Sequence, residues 1–337
     1  MESFFEFEAK HLLSKLKSPI LDINELINWN QVSYRLKKIY KKEILDLGGG
    51  QPYNSLKMFK ALLLGQWYNL SDAELEYSLK VRLDFIVFSG FTPNEGVPDE
   101  STICRFRNRL IDQKLLPKLL KVINSQLEAN HLKIKESHGA VLDATIIESA
   151  ARPRKVIENI DEDRNEQEES DEVIVEYSKD KDARWLKKGN KYHFGYKSYV
   201  TVDQEDGYIE NIHVTAANSA EVKQLESSLK NLEKKKNTVL FADKAYTSKA
   251  NREHLKDLEM IDGIMFKATK NAPLSPFEKA VNRWVSSYRF IVEQGFGTLK
   301  RKFKLAKTSY FGREKVEAQC YFKAICFNLL KAANKLA

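Results

Sequence analysis

The sequence predicts a mixed α/β sheet flanked by helices, preceded by a region that is helical throughout. Three observations carry this prediction. Up to about residue 135 the apolar residues recur in steps of three and four. Beyond it, two short runs rich in strand formers, His138–Ile146 and Thr238–Tyr246, each contain one acid among apolar residues. Helical spacing then returns from Phe277 through Val281, Trp284, Tyr288, Ile291, Val292, Phe296 and Leu299 to Phe303. Residues 1–135 are therefore expected to form a helical unit and residues 136–337 an α/β unit.

Composition narrows the class. No stretch of eighteen apolar residues suggests a membrane span. The opening MESFFEFEAK has acids where a signal peptide carries bases, so none is expected. Cys104, Cys320 and Cys326 lack paired spacing and read as reduced thiols, and the six histidines show no metal-ligand spacing. The net charge is +8 but uneven. Glu158 to Glu176 holds ten acids and one base, and this −9 against the total of +8 leaves +17 on the rest. A basic body suits a polyanion such as nucleic acid, although a basic surface also serves solubility.

In the first 47 residues, apolar stripes around Leu12, Leu16, Ile20 and Ile23 suggest helices, followed by a basic run to Lys42. Gly48-Gly49-Gly50 is a break. Ser55 to Asn69 is predicted as a helix, and Ser71 to Glu74 reads as the capping box of a second that runs on through Leu83. Gly90 to Pro98 is a loop, and Asp99 opens a third helix with Ile103, Phe106 and Leu110 inward. Its other face would carry Thr102, Arg105, Asn108 and Arg109, with Arg107 beside them. That face suits a helix-turn-helix-like DNA reader, and equally an ordinary bundle with a charged surface. A further helix spans Leu115 to Ala129.

In the second unit, Asp143 interrupts the first strand and Asp243 ends a later one. A buried acid is costly unless paired or bound to metal. Residues 152–182 read as a charged insertion, with order returning at Arg184. Ser198–Asp203 and Tyr208–Ala216 would form a hairpin around an Asp-Gly turn. Helices are expected at Glu221–Lys235, Ser248–Leu258 and Val316–Leu336, and a strand at Ile261–Lys267. On the long helix, Glu293 lies four residues after Arg289 and seven before Lys300, with Arg301 and Lys304 beyond. Taken alone this is a surface ion pair worth a few tenths of a kcal/mol, roughly. Combined with Asp143 and Asp243 it suggests three carboxylates without nitrogen ligands, a set suited to Mg²⁺ or Mn²⁺. Two such ions about 4 Å apart would serve an in-line phosphoryl displacement.

Several ordered motifs resemble one family: VLDATIIES, DKDARWLKKGNKYHFGYKSYVTVD, HVTAANSAE, LFADKAYTS and YRFIVEQGFGTLKRKFK, with PDESTICRFRNRL in the helical region. Together, across roughly residues 50 to 330, the chain resembles DDE transposases of bacterial insertion sequences, in the family numbered five. The resemblance implies a ribonuclease-H-like catalytic core with Asp143, Asp243 and Glu293 as catalytic residues and metal ligands. Arg289, Glu293 and Lys300 match three positions of the related group's signature Y-x2-R-x3-E-x6-K, but Ser286 takes the tyrosine position. Lys300 would contact DNA at the element's end, with Arg301 and Lys304 as further contacts; Arg289 would position DNA or orient Glu293, and Lys244 either reaches a phosphate or is a surface lysine. Gly295 and Gly297, each costing about 1 kcal/mol relative to Ala in a helix, suggest close approach of DNA or backbone.

The implied activity is binding of terminal inverted repeats, phosphodiester hydrolysis and joining of 3′-hydroxyl ends to target DNA. The implied assembly is a homodimer or larger, at the nucleoid in the bacterial cytoplasm. The rival expectations are an inactive or domesticated transposase that only binds DNA, and a metal-dependent nuclease that does not join.

Overall fold

The computed structural model describes residues 11–13, 18–40, 51–92, 95–135, 137–151, 179–232, 236–269 and 272–336. The acidic stretch at 158–176 and most of the expected insertion lie outside the described residues.

Among the described residues, seven helices precede the sheet: α1 (Pro19–Leu26), α2 (Trp29–Leu36), α3 (Ser55–Tyr68), α4 (Asp72–Val81), α5 (Leu83–Ser89), α6 (Glu100–Asp112) and α7 (Leu116–Ala129). The Ser71 capping box forms as expected, Ser71 accepting from the Glu74 amide while Glu74 accepts from that of Ser71. The helix it starts does not reach Leu83. Arg82 is extended, grips Asp84 through two hydrogen bonds and caps the separate helix α5. Helix α6 opens as expected on Asp99, which accepts from the Thr102 amide. One expectation fails here: Arg107 is buried, not exposed beside Arg105. Its guanidinium holds Asp72 at 2.7 Å through both nitrogens and lies over the Tyr310 ring. Burial opposes its charge, but Asp72 more than compensates, so its pKa stands above the ordinary value.

Among its described residues the second unit holds six strands and four α-helices: β1 (Gly139–Glu148), β2 (Arg184–Lys188), β3 (Lys191–Asp203), β4 (Ile209–Ala216), α8 (Leu225–Leu229), β5 (Val239–Ala242), α9 (Lys249–Asp257), β6 (Ile261–Ile264), α10 (Pro276–Arg301) and α11 (Arg313–Leu336). Strand β3 lies antiparallel to β1 and to β4, while β5 runs parallel to β1 and β6 parallel to β5. Apart from the β2 extension, the sheet reads β4-β3-β1-β5-β6. This is the ribonuclease-H-like arrangement of a mixed sheet. Of the expected helix at Glu221–Lys235, the described residues 221–232 form a 3₁₀ turn and the five residues of α8, and 233–235 lie outside the described residues.

The two faces of the sheet bury different residues, as its period of two requires. Val141, Ile147, Val200, Val202 and Phe241 join a core that continues through α10 and α11 into the helices of the first unit. Leu142, Leu240, Ala242, Tyr199 and Tyr246 face a second core beneath α8 and α9. Helix α11 is buried almost all round, touching α1, α3 and α7 as well as β4. Asn328 at its centre ties the two units together: it accepts from the Ile209 amide at 2.9 Å and donates to the Asn124 side chain at 2.7 Å. The described residues just before Arg184 are held in place as well. Asp180 is buried and accepts from the Ser149 and Tyr196 hydroxyls and from the Gly312 amide, while Asp182 accepts from that of Arg313. This pair secures the start of α11.

Candidate active site

The parallel register of β1 and β5 pairs Leu142 with Ala242, so the residue that follows each of them is an acid. Asp143 and Asp243 therefore emerge together at the carboxyl end of β5, where open α/β sheets place their functional crevices. Asp143 lies opposite Val200 inside β1 and accepts from the Ala144 amide at 2.8 Å. Asp243 stands one residue past its strand, accepting from the Lys244 amide at 2.6 Å at the head of a 3₁₀ turn.

Helix α10 supplies the third acid. The Phe241 ring packs against Tyr288 at 4.5 Å and Trp284 at 5.0 Å, and Val285, Val292 and Leu299 are buried along the same stripe. This seating turns Arg289 and Glu293 toward the strand acids. Arg289 Nη2 lies 2.8 Å from Asp143 and 3.8 Å from Glu293, and its Nη1 lies 3.8 Å from Asp243. One guanidinium thus contacts all three carboxylates. Burial works against its charge, but the three acids outweigh that cost and hold its pKa above the ordinary value. Asp143 is 14% exposed, Asp243 29% and Glu293 61%, so the cluster opens to solvent on the Glu293 side.

The remaining expected residues spread around this centre. Lys244 is exposed beside Asp243, and Lys300, Arg301 and Lys304 follow along and past the end of α10. Lys300 is partly buried, and burial followed by the nearby charge of Lys188 lowers its pKa. Arg105 bonds Ser101 and Thr102 on its own helix, and Arg109 lies over the Tyr40 ring, so neither joins the carboxylates. Ser286 is exposed, whereas Tyr288 is engaged with Phe241, so no tyrosine takes the signature position. A Cβ added at Gly295 would meet only Phe327 at 3.8 Å and one at Gly297 only the side chain of Arg301, so among the described residues no backbone outside the helix makes the expected close approach.

Sequence reasoning missed Tyr246. It is buried near the acids with its hydroxyl unpartnered, and burial, then Glu221, Asp143 and Asp243, hold its pKa well above the usual value. It also missed strand β2, although Gly189-Asn190 is a two-residue turn signal and Gly189 has the positive φ of 60° such a turn requires.

Among the described residues, no three acidic, histidine or cysteine side chains stand close enough to enclose a metal ion. The acids nevertheless fit a hard cation by their chemistry. They provide oxygen donors only, and they already gather around a positive charge.

Comparison with known proteins gives consistent matches. The model of the family described as Transposase DDE domain matches residues 136–329, and that described as Transposase domain (DUF772) matches residues 7–109. The transposase for insertion sequence element IS1106 of Neisseria meningitidis serogroup B is 46% identical over 233 residues, covering 69% of this chain and 78% of that protein. Two solved structures were also found. A pre-cleavage Mos1 transpososome, 11% identical, covers 86% of this chain and 80% of its own at a TM-score of 0.25. A Mos1 strand transfer complex, 10% identical, covers 86% and 81% at 0.21. TM-scores this low carry no weight in assigning the fold.

Proposed function

Because the chain belongs to the DDE-domain transposases, we propose that Asp143, Asp243 and Glu293 are its catalytic acids. On this reading it acts on double-stranded DNA at the inverted repeats of an insertion sequence. It hydrolyses a phosphodiester to free a 3′-hydroxyl and then joins that hydroxyl to target DNA. The observation that carries the proposal is the convergence of the three carboxylates, distant in sequence, on one guanidinium.

The three acids would hold Mg²⁺ or Mn²⁺, as two ions. When bound, these would activate the attacking oxygen and stabilise the leaving one. The side chains of this protein do the rest. Arg289 would hold the acids in place before DNA arrives, its guanidinium donating to Asp143 at 2.8 Å and lying 3.8 Å from Asp243 and Glu293. Lys244 follows Asp243 directly, Lys300 and Arg301 lie in the last turn of α10 and Lys304 just past it, and these four would hold phosphates, whose charge dominates DNA affinity. Residues 1–135 would recognise the element's end, with Arg105 and Arg109 on α6 toward DNA. Synapsis of two ends requires at least a dimer. No helix among the described residues is long and apolar enough to cross a membrane, and we place the protein at the nucleoid in the cytoplasm.

The test uses labelled terminal-repeat DNA, a target plasmid and Mn²⁺. Wild type should yield joined product. Asp143→Asn, Asp243→Asn and Glu293→Gln should each lower cleavage and joining at least about 100-fold while DNA binding persists. Undiminished cleavage by Asp243→Asn would reject the triad. Nicks without joining would indicate a nuclease instead.

A further inference from the structure

Strand β3 is longer than its neighbours. Its pairing with β1 stops at Gly195 and with β4 at Tyr196, while β2 continues alone with it from Arg184 to Lys191. Residues 184–194 therefore form a two-stranded hairpin that runs on past the paired ends of β1 and β4. From Ala183 to Val202 the sequence contains no acid, and the projecting part carries Arg184, Lys187, Lys188 and Lys191.

We propose that this hairpin is a DNA-gripping arm, in which Lys187, Lys188 and Lys191 contact phosphates of the duplex entering the carboxylate site. Trp185 and Tyr192 would pack against its sugars. This rests on the transposase reading above and adds to it a binding surface outside α10 and the helical unit.

Three observations support the arm. First, the register points it at the site. Trp185 lies opposite Phe194, Lys187 opposite Tyr192, and Asp143 opposite Val200. Side chains alternate, so Trp185, Lys187 and Tyr192 belong to the same face of the sheet as Asp143, while Lys188 and Lys191, paired beside the turn, stand on the other face at the hairpin's tip. Second, the tip continues the basic end of α10, since the charge of Lys188 is near enough to lower the pKa of Lys300. Among the described residues no carboxylate pairs with Lys187, Lys188, Lys191 or Lys300. Like charges placed together without a counter-ion are unfavourable unless a polyanion joins them. Third, Trp185 is 51% and Tyr192 64% exposed. Lysines alone could simply protect an edge strand from pairing with another chain. Two exposed aromatic rings beside them work against such protection but suit the sugar and phosphate contacts that position DNA.

The experiment is a salt titration of binding to fluorescent terminal-repeat duplex, read by anisotropy. Counter-ion release sets the steepness of log K against log salt, which falls by about 0.9 for each phosphate the protein no longer neutralises. Lys188→Gln alone should lower it by about 0.9, and the triple variant Lys187→Gln, Lys188→Gln, Lys191→Gln by about 2 to 3. Trp185→Ala with Tyr192→Ala should weaken binding and leave the slope unchanged. A control of equal charge, Lys230→Gln, Lys236→Gln, Lys256→Gln, lies in or beside the segments that lead into the opposite ends of β5 and β6. It should change the slope by less than the value for a single phosphate. A triple variant with the wild-type slope, or a control whose slope falls as far, overturns the arm and leaves the transposase reading intact. Wild-type protein that binds no DNA overturns both.

Discussion

Arg289 occupies the position where a divalent cation would balance the three acids. Before metal and DNA are present, its single charge opposes three carboxylates held within hydrogen-bonding or ion-pair range. Replacing it leaves partly buried acids to repel one another, and a bound cation relieves that repulsion. Arg289→Gln is therefore expected to melt below wild type without metal and to gain more in Tm from Mn²⁺ than wild type does. Equal gains in a thermal-shift assay would mean that the guanidinium does not compete for the cation's place. Glu293 is the most exposed of the three, so its replacement should disturb stability least.

At the scale of elements, Lys323 joins three helices. From α11 its ammonium donates to the Asn69 side-chain oxygen at 2.9 Å, just past α3, and to the Phe303 carbonyl, just past α10. Burial lowers its pKa to about 8, with Cys326 and Cys320 pulling weakly the other way. An unfolded lysine titrates at its ordinary 10.5. Between those values the unfolded chain binds a proton that the folded chain has released, so this lysine adds stability as pH rises through the window. The stability of wild type relative to Lys323→Met, from urea unfolding, should increase from pH 8 to pH 10. A flat or falling difference would show that the ammonium is not desolvated. Near pH 8 the loss of its hydrogen bonds should itself cost about 1–3 kcal/mol.

At the scale of the molecule, one core runs from the first helices through α11 to the face of the sheet that carries Asp143. The division near residue 135 separates chain segments and the two matched families, but the packing crosses it. Residues 136–337 alone would expose the side of α11 that α1, α3 and α7 cover. The full chain should therefore unfold in one transition, and the fragment should aggregate or lack a cooperative one. A fragment that melted sharply at the full-chain midpoint would show that the catalytic unit stands alone.

The sequence by itself determined the strand runs that bear Asp143 and Asp243, the helix starts at Ser71 and Asp99, and the long helix that carries Arg289 and Glu293. Each of these follows from residues within a few positions of one another, which periodicity and capping report directly. Only the tertiary structure decided what required partners far along the chain. The register of Leu142 with Ala242 sets Asp143 beside Asp243, and the packing of Phe241 on Tyr288 turns Arg289 between the acids. Arg107, expected at the surface from helical spacing, is buried because Asp72, thirty-five residues away, neutralises it. The hairpin face of Trp185 and Tyr192 likewise gained its direction only when β3 paired with β1. Local spacing fixes which side of an element a residue occupies. Long-range pairing, whose free energy depends on residues that local spacing does not relate, fixes what that side meets.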